Sequence, residues 1–266
     1  MKIQNTLVSI LVINYNNEKL LSRALNSCLI QTYKNIEILI YDDKSTDNSV
    51  MEIKKFLNHK NINFYSSNKK KTNIASFDAM NGYLFLFKKS KGSIICLLDS
   101  DDYFYSTKIE DVVQYFKKNE HKEFLQNLPL IINNKIILHK KNRNNLFSFW
   151  PYLAPESCVS FKKSFMNDFI ECNKFFFTNY NLIWLAFRMG IFSYFVKKNF
   201  GNIDKHLTCY QSLGQSKKYS FMNRNWFFRR KQSFDYLEKI VPKFFYVKFN
   251  IDYIVTNIVC KILKMQ

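Results

Sequence analysis

The chain has 266 residues, enough to bury a sizeable core in one large domain or in a domain with an appendage, and its 47% apolar content excludes a disordered chain. Its six cysteines form no CxxC pair and no zinc-like spacing with the four histidines, so they read as buried thiols in a reducing compartment. Of the net charge of +19, residues 1–110 carry +4 (15 basic, 11 acidic) and residues 111–266 carry +15 (25 basic, 10 acidic), which implies an acidic partner for the second part or lysines that keep a chain with 27 Phe and 16 Tyr soluble.

Leu7–Asn14 (LVSILVIN) is a continuous apolar run rich in β-branched residues, which predicts a strand buried on both faces. It lacks a full h-region and a cleavage site, so no signal peptide is expected. No segment offers about 18 uncharged apolar residues, so no spanning helix is expected either. Residues 18–31 carry Leu20, Leu21, Ala24, Leu25 and Cys28 at helical spacing. Ile36–Tyr41 is a second buried strand, ending in Asp42-Asp43, and residues 48–57 read as a helix that Ser45, Thr46 or Asp47 could cap. Ile62–Tyr65 reads as a third strand, residues 73–88 as a helix, and Ser93–Leu98 as a fourth strand. This alternation predicts an α/β fold with a mostly parallel sheet flanked by helices. Beyond it, residues 107–118 read as a helix, residues 127–139 as a hairpin around Asn133-Asn134, residues 140–150 as a polar, basic loop, and 161–171 and 178–190 as helices. Residues 216–266 form a basic, aromatic, helical tail, broken near Pro242.

Ligands of parallel α/β sheets bind beyond the carboxyl ends of the strands. Here those ends are Asn14-Tyr15, Asp42-Asp43 and Asp99-Ser100-Asp101-Asp102, so acidic groups gather at one edge. Packed carboxylates are costly unless a cation offsets them, and a hard divalent ion such as Mg²⁺ takes one or two carboxylates together with substrate phosphates. A diphosphate on such an ion is the leaving group of a nucleotide sugar. The plain alternatives are an acidic turn capping the helix at 107–118 and an N-cap at Asp42-Asp43.

The run VSILVINYNNEKLLSRALNSCLIQTYKNIEILIYDDKSTDNS, with LLDSDDYF beyond it, resembles the family 2 glycosyltransferases of the GT-A, Rossmann-like fold over residues 6–110. The family's usual forms are VSVIIPxYN, VDDGSTD and a D-x-D-D-like motif at matched spacing. The resemblance implies that Tyr15 and Asp43 lie beside the nucleotide base, that Asp99 contacts ribose or metal, and that Asp101 ligates Mg²⁺ or Mn²⁺. Asn14, Asp42, Ser100 and Asp102 complete the implied donor set. Lys44 replaces the family's usual Gly, so a differently shaped turn is expected. His206, in a stretch similar to the family's pLtxYR strand, falls near the donor phosphates, with a structural histidine as the alternative. Family members often carry the acceptor-deprotonating acid in an ED or WLD pattern, but Ala186 occupies that place in Thr178–Arg188 (TNYNLIWLAFR). Glu156, which comes after an irregular stretch, is the first candidate base, ahead of Asp168, Glu171 and Asp204; an ordinary surface acid is the alternative.

The resemblance implies a donor region at 1–120, an acceptor-side region at 121–215 that completes the domain, and the tail at 216–266. It implies an inverting transfer of a sugar, from a UDP-sugar first of all, to a growing surface glycan such as lipooligosaccharide, capsule or lipid-linked oligosaccharide. The basic-aromatic stretch Lys217–Lys231 suits an anionic membrane surface, which makes the expected location cytoplasmic, with a peripheral position on the inner face of the bacterial membrane. Nucleic acid is not expected as a partner, since no motif for it accompanies the basic residues. A catalytically inactive nucleotide-sugar-binding protein and a basic nucleic-acid-binding protein stay open as rival readings.

Overall fold

A computed structural model describes residues 6–68, 72, 74–133, 136–139, 149–211, 222–241 and 244–264. The first half alternates as its sequence predicts: Val8–Asn14 (β1), Glu18–Leu29 (α1), Ile36–Asp42 (β2), Ser49–Lys54 (α2), Ile62–Ser66 (β3), Ala75–Lys89 (α3) and Ile94–Asp99 (β4). Strands β1 and β2 are buried along their whole length. Successive side chains of a strand point to opposite faces. Val8, Ile10, Val12, Ile36, Ile38 and Ile40 therefore join one core, shared with α1 and α2, while Leu11, Ile13, Leu39 and Tyr41 join a second with α3. Helix α3 sits close on β2 because Gly82 has no Cβ, an atom that would stand 2.9 Å from the Tyr41 ring.

Next come Tyr103–Phe104 (β5), Lys108–Lys118 (α4), Phe124–Asn133 (β6), Ile136–His139 (β7), Val159–Lys162 (β8), Lys163–Asn173 (α5), Leu185–Ile191 (α6), Phe200–Gln211 (β9), Arg224–Ile240 (α7) and Ile251–Ile262 (α8). Among the described residues the strand order is β3-β2-β1-β4-β8-β6-β9-β5, with β7 beside β6. The pairings from β3 to β4 are parallel. Past β4 the sheet is mixed: β8 runs antiparallel to β4 and β6, β9 parallel to β6, and β5 antiparallel to β9. The hairpin forms as β6–β7, in register at Asn133↔Ile136.

Three expectations need correction. Residues 161–171 begin as strand β8, and only from Lys163 as helix α5. The helix expected at 178–190 is confined to α6. The reason is Arg188, fully buried, whose guanidinium donates to the carbonyls of Phe176, Asn179, Tyr180 and Ile183. Those carbonyls are satisfied by a side chain, so the segment before α6 needs no helical ladder. Of the cysteines, Cys172 is exposed and the other five are buried. The loop at 140–148 and the stretch 212–221 lie outside the described residues. Helix α7 packs through Phe234, Tyr236 and Leu237 onto Trp150, Ile183 and Ile191, a third and smaller core.

Candidate active site

Strand register assembles the acidic edge. Asn14 pairs with Asp42 across β1–β2, and Ile13 with Asp99 across β1–β4. A cavity of about 670 Å³ opens at this edge. Tyr15, Asp43, Asp99 and Asp101 line it from the sheet side. Glu156, Trp184 and Ala186 line it as well, together with Trp226, Arg229 and Arg230 of α7.

The other implied donor residues stand behind this surface. Asn14 Nδ2 donates to Asp42 Oδ1 at 2.7 Å, and Ser45 donates to the same carboxylate through its hydroxyl (2.6 Å) and its backbone N–H (3.0 Å), so Asp42 holds the turn. Within that turn Lys44 has φ 60°, the left-handed region that favours glycine. The lysine thus takes a conformation that favours glycine. Ser100 Oγ accepts from Asn17 Nδ2 at 3.1 Å. His206 does not line the cavity: it sits beside the β6–β9 bulge, where Nδ1 donates to the Pro129 carbonyl at 3.0 Å. Asp168 pairs with Lys197 at 2.5 Å, and neither it, Glu171 nor Asp204 reaches the cavity.

Asp99, Asp101 and Asp102 bring carboxylate oxygens within 4.8 Å of one another. Burial, then the charge of Asp101, pushes Asp99 up to about 7. Asp102 is raised well above the usual carboxylate range by burial, then by Asp101 and Asp99. Its Oδ1 accepts from the Gln211 backbone at 2.8 Å, while Oδ2 is buried with no hydrogen-bond partner. Three crowded oxygen donors, one of them orphaned, are the set that a hard divalent cation fits. Tyr83 donates to Asp99 Oδ1 at 2.8 Å. Arg23 of α1 donates from Nη2 to the Asp101 carbonyl at 2.9 Å and stacks on Tyr103, 4.3 Å from the ring centroid.

Glu156 opens a 3₁₀ turn, Glu156–Cys158, that a buried network holds against the cluster. Ser157 Oγ accepts from the Asp99 backbone at 3.0 Å. Lys108, fully buried, donates to the Ser157 carbonyl (2.5 Å) and to Thr208 Oγ1 (2.9 Å), and burial lowers its ammonium to about 8. The Glu156 carboxyl is itself buried, and burial, then the charge of Asp99, raises it well above its ordinary value. Its Oε1 accepts from the Ala186 backbone at 3.4 Å.

Sequence reasoning missed Asp78, Trp150, Tyr152 and Tyr210 of the cavity wall, along with Arg23 and Lys108 behind it. It also missed that α7 lines the cavity. Asn223 caps that helix, its Oδ1 accepting from Trp226 N at 2.7 Å, and Phe227 is buried, while Trp226, Arg229 and Arg230 line the cavity. The cap, with apolar residues at helical spacing after it, was the available signal.

The chain is similar in sequence and in fold to known proteins. The family model described as glycosyl transferase family 2 matches residues 9–184. The UDP-Glc:alpha-D-GlcNAc-diphosphoundecaprenol beta-1,3-glucosyltransferase WfgD of Escherichia coli is 34% identical over 131 residues, 49% of this chain and 49% of that one. Its counterpart WfaP, also from Escherichia coli, is 38% identical over 111 residues, 42% of this chain and 41% of that one. The chain spans about half the length, or less, of these curated relatives. In fold it is similar to S. aureus TarS 1-349 in complex with UDP (TM-score 0.62, 15% identity, 96% of this chain and 91% of that one). It is also similar to the mannosyltransferase PcManGT of Pyrobaculum calidifontis in complex with GDP-Man and Mn2+ (TM-score 0.56, 10% identity, 96% and 74%). The fold is therefore GT-A-like, and with a family model that covers more than half of its length, the chain belongs to glycosyl transferase family 2.

Proposed function

We propose that the chain transfers one sugar from a UDP-sugar to a hydroxyl of a lipid-linked glycan, with inversion at the anomeric carbon. The observation that carries this reading is the cavity itself, which is lined by Asp99 and Asp101 and by a buried carboxyl group, Glu156, whose turn is tied to the Asp99 backbone. The E. coli relatives WfgD and WfaP use UDP-Glc and a diphosphoundecaprenol-linked acceptor, and TarS has been solved with UDP and with UDP-GlcNAc.

In this reading Tyr15 and Asp43 flank the uracil and Asp99 meets the ribose. Asp101, with Asp99 and Asp102, would hold Mg²⁺ or Mn²⁺, which supplies charge stabilisation for the departing diphosphate. Glu156 accepts the proton of the acceptor hydroxyl; the acceptor oxygen bonds to the anomeric carbon as the bond to the diphosphate oxygen breaks, and UDP leaves with that electron pair. Trp226 and Trp184 offer flat apolar faces to a sugar ring, and Arg229 offers a fork that suits phosphate. Residues 1–120 then form the donor side, 121–215 the acceptor side, and α7 belongs to the cavity.

The test is a melting-temperature panel of UDP-, GDP-, CMP- and dTDP-sugars with and without Mn²⁺. Ligand at a hundred times its Kd stabilises a native state by about 2.7 kcal/mol. A UDP-sugar with Mn²⁺ should raise the melting point, and Asp101→Ala should abolish the shift. A shift with another nucleotide alone, or with none, would overturn the donor assignment.

A further inference from the structure

Helix α8 repeats Ile251, Ile254, Val255, Ile258 and Ile262 at the i, i+3, i+4, i+7, i+11 spacing of a single apolar stripe. On a helix at the surface of a globular protein that stripe faces the core. Here it faces out: Ile251 is 74%, Ile262 72% and Ile258 53% exposed, and Ile254 and Val255 are exposed as well. Phe249 and Leu263 extend the exposed stripe at its two ends. The side turned toward the protein is instead the more polar one. Thr256 and Cys260 are buried there, the Cys260 thiol meets the Phe227 carbonyl, and Asp252 pairs with Arg230 of α7. A contiguous exposed apolar patch on a well-anchored element marks an interaction surface.

The charges beside the stripe select what covers it. Lys261 and Lys264 border it and are exposed, while Lys248, also exposed, pairs with Glu238 of α7 at 3.3 Å. The only acid from residue 244 to residue 264 is Asp252, which is turned inward and neutralised by Arg230. An apolar stripe bordered at its C-terminal end by lysines unpaired among the described residues matches the edge of a bilayer that carries anionic head groups, where apolar side chains enter the acyl boundary and ammonium groups meet phosphates. Twelve residues of helix span only about 18 Å, too short to cross. No helix among the described residues is long and apolar enough to cross a membrane.

We propose that α8 lies flat on an anionic bilayer surface with its isoleucine stripe immersed, and that this face, not the basic-aromatic face of α7, is the membrane-docking surface. The cavity lies one helix away: Arg230 both lines it and pairs with Asp252. Docking through α8 thus holds the cavity near the head groups, where the sugar-bearing phosphates of a lipid-linked acceptor reside. The proposal deepens the lipid-linked reading of the acceptor but is tested without it.

The experiment is co-sedimentation of the full chain with vesicles of phosphatidylcholine alone and with about a third phosphatidylglycerol, at low and at raised salt. The wild type should bind the anionic vesicles at least about tenfold more tightly than the neutral ones and should loosen as salt is raised. The pair Ile254→Glu/Ile258→Glu should lose at least about tenfold in binding while keeping the wild-type melting point. The pair Ile251→Glu/Ile262→Glu, at the two most exposed of these positions, guards against misfolding and should behave alike. Wild type that ignores anionic vesicles, or Ile→Glu pairs that bind like wild type, would overturn the proposal. So would a dimer that the Ile→Glu pairs dissociate in the absence of any vesicle binding, since a second copy would then cover the stripe. Failure of the donor reading would show separately, as loss of the UDP and Mn²⁺ melting shift in a protein that still binds vesicles.

Discussion

The two halves of the sheet are built by different rules, and the cavity lies where they meet. From β1 to β4 each strand pairs with its neighbours in parallel, and the central strands are buried on both faces. Such strands appear in sequence as unbroken apolar runs, and the residues at the carboxyl end of each run form the functional edge. Beyond β4 the strands pair antiparallel or across long separations, and β9 mixes buried and exposed positions without a clean period. The acids of the first half are placed by strand ends. Glu156 is placed by a buried network, in which Ser157 reaches the Asp99 backbone and Lys108 reaches Ser157. Specificity in the front half therefore rests on the backbone, and in the back half on individual polar side chains.

That contrast can be broken or sharpened by substitution. The largest effect is expected at Asp101→Ala, which removes an oxygen donor from the front edge; transfer should fall at least about a thousandfold in an initial-rate assay, with the melting point of the unliganded protein lowered little or raised. Arg188→Met tests the back half. It orphans carbonyls of residues 176–183 and should cost about 3 kcal/mol in urea unfolding. A cost near zero would break the claim that single side chains organise that half.

Lys108→Met tests the network through pH. Burial lowers the folded-state ammonium to about 8 from its ordinary 10.5, so between those values the unfolded chain binds more protons than the folded one. Below about 8 both states are protonated and the fold bears the full cost of the buried charge; above 10.5 both are neutral and the cost is gone. Wild-type stability should therefore rise relative to the Met variant across pH 8 to 10.5, by on the order of 3 kcal/mol, as read by urea unfolding at matched pH. The smallest effect is expected at Lys44→Gly. Relief of the left-handed lysine should raise stability by about 0.5–1 kcal/mol, partly offset by the freedom glycine adds to the unfolded chain.

Legibility divided along the same line. Tyr15, Asp43, Asp99 and Asp101 were readable because an apolar run ends close before each of them. Asn14 and Asp42 were readable as neighbours of the site, but they stand behind the surface, where hydrogen bonds and burial engage them. Glu156 was visible only as an acid after an irregular stretch. What brings it to the cavity is Lys108, a residue whose sequence context, the first turn of an amphipathic helix, gives no sign of full burial. For His206 the sequence left donor phosphates and a structural role open, since strand identity does not reveal a bulge; the bulge beside it brings its ring to the Pro129 carbonyl. By composition the tail is one basic-aromatic surface. Among the described residues it holds α7, which lines the cavity, and α8, whose isoleucine stripe is exposed, and no composition count separates them.

The most direct measurement compares two variants on two readouts: UDP binding with Mn²⁺ by calorimetry, and sugar transfer in a single-turnover assay. Asp101→Ala should lose both. Glu156→Gln should bind UDP as the wild type does and lose transfer by about a hundredfold or more, because the carboxylate proposed to take the acceptor proton is gone while the donor edge is intact. Glu156→Gln transferring at the wild-type rate would contradict the joining of a front-half donor edge to a back-half base in one active site.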